Sequence, residues 1–135
     1  MKRNFKFLIF CSISGLLLYA GCKDTLTGSQ LDQRVIPDSN VSYAKDIQPV
    51  FDLKCSNSGC HDNASMAGGV SLSTWANTTA DPGVVFPGKP DNSRLVWTIE
   101  HYAGEPPMPP VGYPSLTQNQ IKGIRTWIQE GAKNN

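Results

Sequence analysis

The stretch "EPPMPPVGYP", residues 105–114, limits the fold more than any other part of the chain. Proline fixes φ and removes a backbone donor, so this segment is neither a helix interior nor a central strand. The chain holds 12 glycines and 10 prolines in 135 residues. Much of its length is therefore loop, and its regular structure has to come from short periodic segments elsewhere.

Those segments are helical. "LTQNQIKGIRTWIQEGAKNN" is the clearest. Thr117 and Gln120 form a T-x-x-Q capping box. Ile121, Ile124, Trp127 and Ile128 make an apolar stripe at helical spacing, and Gly131 follows as a C-terminal cap. Trp127 falls on the buried stripe, which makes it a packing residue. Tyr43, Ile47, Val50 and Phe51 recur at helical spacing in "VSYAKDIQPVFDLKC", where Pro49 is tolerated if the helix starts near Asp46. Pro90, Asp91 and Ser93 sit near a third start, with Leu95, Val96 and Ile99 on one face. "NASMAGGVSLSTWANT" reads as loop and turn around Gly68-Gly69. The expected fold class is mostly α, with long Pro- and Gly-rich loops.

The N-terminal part is a targeting segment. Lys2, Arg3 and Lys6 precede a thirteen-residue, mostly apolar run from Phe7 to Tyr19, then small residues. That is the layout of a secretory signal, and the run is short for a bilayer span. "AGC" at 20–22 resembles a bacterial lipobox, with cleavage before Cys22 and lipid on its thiol. Residues 1–21 are thus expected to be removed, residues 22–40 to form a lipidated flexible tether, and residues 41–135 to form the domain. Without the signal the net charge is (12 − 3) − 11 = −2, which offers no basic field for nucleic acid. The expected partners are a membrane, through lipid on Cys22, and redox proteins. The expected location is exported and lipid-anchored in the bacterial cell envelope.

Cys11 leaves with the signal and Cys22 is the lipid site, so only Cys55 and Cys60 remain for the domain. They stand in "CSNSGCH", which also contains His61. A disulfide across so short a loop stabilises little and leaves His61 unexplained. A zinc site needs four ligands, or three plus water, and the only other histidine is His101. A covalent haem site needs two thiols for the vinyl groups and an imidazole for the iron; its common spacing is C-x-x-C-H. Here four turn-forming residues, Ser56 to Gly59, separate the thiols. Gly59 lets the chain fold back without a Cβ clash, so two residues can loop out while both sulfurs face one way. On these seven residues alone, haem, metal, disulfide and chance all stay open.

A six-coordinate haem iron takes a second axial ligand, often a Met thioether. Met108 is the candidate: four prolines pin its backbone, and its unbranched side chain remains free to reach. Met66 lies close to Cys60 and is the weaker choice. His101 is the rival, because paired histidines also ligate haem.

The order of segments resembles the c-type cytochrome modules of bacterial cell-envelope proteins. The resemblance runs through "DIQPVFDLKC", "GGVSLST", "FPGKPDNSRL", "MPP" and "LTQNQIKGIRTWIQEGA", from about Tyr43 to Ala132. The C-x4-C-H spacing is its one clear departure from the family pattern. The resemblance implies a small cytochrome c-like helical domain around one covalent haem c. It implies attachment at Cys55 and Cys60, His61 as proximal iron ligand and Met108 as distal ligand. The function it implies is a membrane-anchored monohaem electron carrier rather than an enzyme. Two other classes compete: a haem enzyme or gas sensor with a displaceable sixth ligand, and a haem-free envelope lipoprotein acting as a binding module.

Overall fold

A computed structural model describes residues 26–102 and 104–135; the signal segment and Cys22 lie outside these. Among the described residues there are five α-helices and no strand, so the mostly-α expectation holds. The helices are α1 (Gly28–Gln33), α2 (Gln48–Lys54), α3 (Trp75–Thr78), α4 (Arg94–Ile99) and α5 (Gln118–Gln129).

α5 forms as its sequence dictates. Thr117 Oγ1 accepts from the Gln120 amide, and the Gln120 side chain accepts from the Thr117 amide. Gly131 takes φ +97 just past the last turn. Ile124, Trp127 and Ile128 are fully buried. α2 is preceded by a π-helical turn at Tyr43–Ile47 that Ser42 caps, and Pro49 falls in the first turn of α2, where it costs no hydrogen bond. Tyr43 and Trp127 stack with ring centroids 5.1 Å apart. The Tyr43 hydroxyl bonds Thr78 Oγ1, which fastens α3 to the same core. α3 itself, capped by Thr74, is a short helix in a segment that reads as loop.

Ser93 stands at the start of α4 as expected, but its hydroxyl does not cap the helix. It accepts from the Phe86 amide and donates to the Lys89 carbonyl, tying down the loop before α4. Arg125 on α5 pairs with Glu100 and Asp91, one beyond each end of α4, and fixes that helix against α5.

The flexible tether expected over residues 22–40 is corrected for its described part. Thr27 and Gln30 form a second capping box at the start of α1. Leu31 and Ile36 are buried in the core. The Ile36 backbone is clamped by Asn119, whose side chain accepts from its amide and donates to its carbonyl. Glu130 accepts from the amides of Asn40 and Val41. The physical reason is burial: each fully buried aliphatic side chain contributes about 1.5–3 kcal/mol, enough to hold a short segment that carries its own cap.

The seat of Ile36 lies on Gly123 of α5, where an added Cβ would come within 2.6 Å of Ile36 Cγ2. In an open helix Gly→Ala stabilises by about 1 kcal/mol. Gly123→Ala is expected to do the opposite and cost about 1–3 kcal/mol by overpacking. Urea unfolding reads the sign directly, and a stabilised variant would mean that Ile36 does not sit on α5.

Candidate functional site

The last residue of α2 leads straight into Cys55, so the helix aims the site. The amides of Cys55 and Ser56 both donate to the Phe51 carbonyl, closing α2 at the first thiol. The chain then loops through Asn57, Ser58 and Gly59, all exposed, with Gly59 at φ +84. It returns where the His61 amide donates to the Cys55 carbonyl at 3.1 Å. The four-residue spacer is thus absorbed as an outward loop.

Asp62 holds that loop. One carboxylate oxygen accepts from the amides of Ala64 and Ser65, and the other from the amide of Gly59. These hydrogen bonds, led by Ser65, hold its carboxyl below the usual range. Ser56 Oγ, beside Cys55, is buried without a partner among the described residues, and nothing in the structure explains it.

His61 is oriented by the backbone. Its Nδ1 lies 3.2 Å from the Val70 carbonyl. A carbonyl only accepts, so Nδ1 carries a proton and Nε2 is the nitrogen left for a ligand. The Leu72 amide in turn donates to the His61 carbonyl at 2.8 Å. The segment after the Gly68-Gly69 turn therefore runs beside His61 and sets the angle of its ring.

Cys55, Cys60 and His61 line one cavity of about 590 Å³, and Met108 lines it too. Its other walls include Val70, Leu72, Val84, Leu95 and Ile99. The Met108 amide donates to the Thr98 carbonyl on α4, which anchors the proline-rich loop over the cavity. His101 is exposed, takes φ +59 beyond the end of α4, and is not a cavity residue. Met66 is also exposed and lies outside the cavity. Trp127 is fully buried in the core, with its indole N–H donated to the Lys133 carbonyl.

The residues fit a large, mostly apolar group that two thiols, an imidazole and a thioether can hold. The volume lies within the range of pockets for bound organic ligands, about 300–1,000 Å³. The two thiols are free, not joined. Among the described residues no three His, Cys, Asp or Glu side chains converge as a site for a bare metal ion. Two thiols and one imidazole on the wall of an apolar cavity suit a macrocycle that brings its own metal.

A family model described as Planctomycete cytochrome C matches residues 58–112. The match supports a cytochrome c-like domain. It spans fewer than half of the 135 residues. Cys60, His61 and Met108 lie inside it; Cys55 and α5 lie outside. No match was found among curated proteins or among solved structures. The cofactor of a cytochrome c-like domain is haem c, and the cavity has the donors and the walls for it.

Two features of this cavity have no signal in the sequence motif. One is the Val70 carbonyl that orients His61. The other is Lys54, a buried residue that lines the cavity next to Cys55.

Burial pushes the Cys55 thiol up to about 12 from 9.0. At pH 8 its thiolate fraction is then lower by a factor on the order of 10³ than in an unfolded chain. Iodoacetamide at pH 8 should modify Cys55 of the folded, haem-free protein at least tenfold more slowly than in urea. Peptide mass mapping reads this site by site, and equal rates would mean that the Cys55 thiol is not held inside.

Proposed function

We propose that the protein is a membrane-anchored monohaem c-type cytochrome that passes single electrons between redox proteins in the bacterial cell envelope. The observation that carries this reading is the single cavity that takes in Cys55, Cys60, His61 and Met108 and leaves out His101. The family match over residues 58–112 supports the same reading.

In this reading Cys55 and Cys60 would hold the haem covalently, each through a thioether. His61 would bind its iron through Nε2, with the ring angle set by the Val70 carbonyl. Met108 would bind it through its thioether, from a loop tied to α4. Bound haem supplies an iron that exchanges one electron at a time. The residues around it set the potential: a neutral soft thioether and apolar walls both favour the ferrous state. Cys22 carries lipid and holds the domain at a membrane.

The test uses the full-length chain expressed with a cytochrome maturation system. Acid-acetone extraction should leave haem on the protein, and the intact mass should show one added haem. Haem lost wholly to the solvent overturns covalent attachment. Met108→Ala should remove the sulfur-to-iron charge-transfer absorption of the oxidised protein, lower the potential and open a site for carbon monoxide, while His101→Ala changes little. The reverse pattern would give the distal position to His101. Carbon monoxide binding by the reduced wild type would favour a haem enzyme or sensor. Detergent phase partition of wild type and Cys22→Ala tests the anchor; both in the aqueous phase would overturn it.

A further inference from the structure

Charge on the cavity wall is unevenly placed. Lys54, Arg94 and Glu105 all line it, but only Lys54 is buried. Arg94 is exposed, so water screens its charge. Lys54 ends α2 and precedes Cys55, which puts it at the covalent edge of the proposed haem.

The Lys54 ammonium is fully coordinated by protein. It reaches Asp32 Oδ1 at 2.6 Å, the Ser115 carbonyl at 2.6 Å and Gln120 Oε1 at 3.1 Å. Three donors meet three acceptors, so the charge has one fixed position. Its single formal counter-charge is only partly withdrawn from water: the Asp32 side chain is 44% exposed. The cation is thus held inside the protein on a residue that lines the cavity, against a carboxylate that water partly screens; Glu105, half-buried on the same wall, carries the opposite charge. Stability alone does not call for this arrangement, because a buried ion pair contributes little beyond what an apolar pair of similar volume would.

We propose that Lys54 is a positioning residue for the redox step, a fixed buried cation that raises the reduction potential of the haem, and that Asp32 partly offsets it. This rests on the haem reading above. A nearby cation opposes the extra positive charge of oxidised iron, and low-dielectric surroundings extend its influence. The segment that carries Asp32, although distant from the cysteines in sequence, is then part of the electrostatics of the site.

The test is the midpoint potential of the haem-loaded, full-length protein in three variants. Lys54→Gln removes the cation and should shift the potential down. Asp32→Asn removes the counter-charge and should shift it up. The double variant removes both charges and should lie between the two single variants, below wild type by less than Lys54→Gln. A purely structural role predicts something different, since loosened packing admits water and lowers the potential in all three. A shared downward shift, or loaded variants with unmoved potentials, would overturn the proposal. Asp32→Asn keeps the test decisive if Lys54→Gln does not fold, because Asp32 lies at the surface end of the pair. A chain without haem in the pyridine haemochrome assay would overturn the haem reading, and this inference with it.

Discussion

The ammonium of Lys54 is the point at which three distant parts of the chain meet. It ends α2, takes a carboxylate from α1, a carbonyl from the segment before α5 and an amide oxygen from α5 itself. Left alone, such a buried charge would cost several kcal/mol. Burying it costs least with all three acceptors in place, which favours the docking of α1, α2 and α5 together. Gln120 links the set further: its side chain also donates to Asp32 and caps its own helix at Thr117. The Lys54 hydrogen bond holds the Asp32 carboxyl below its usual range. Its contribution is present above pH 3.8 and is lost as pH falls through the lower folded value.

From that junction the site follows in sequence order. α2 delivers Cys55, Asp62 holds the looped spacer, and the Val70 carbonyl turns the His61 ring. Met108 is brought in separately, by α4 and the loop that hangs from the Thr98 carbonyl. Different elements supply the walls, and the cavity lies among them. Its walls are aliphatic because the inward residues of α4, Leu95 and Ile99, come from the same stripe that packs the core.

α5 was legible in full, because its capping box, stripe and terminal glycine all point to the same helix. Cys55, Cys60, His61 and Met108 were legible as a set through their order along the chain, and the cavity joins them. The strap over residues 27–41 was missed for a physical reason: a six-residue helix is too short to show a period. A signal was present all the same. "TGSQ" at 27–30 has the form of "TQNQ" at 117–120, and Leu31, Ile36 and Val41 follow it. The role of Lys54 could not be read, since nothing in a sequence says which of several lysines is buried. The partner of His61 is a backbone carbonyl and has no residue signature at all.

The docked strap also changes how far the domain could travel. A free tether over residues 22–40 would let it range over tens of ångströms. With chain packing from Leu26 and capped at Thr27, only residues 23–25 separate the proposed lipid site from folded structure. The four steps from Cys22 to Leu26 span at most about 14 Å, less than half the thickness of a bilayer core, about 30 Å. A lipid on Cys22, as proposed, would hold the domain against the membrane surface with little freedom to tumble. Electron exchange would then be confined to a thin layer beside the bilayer, open to partners seated in the same membrane and closed to those beyond it.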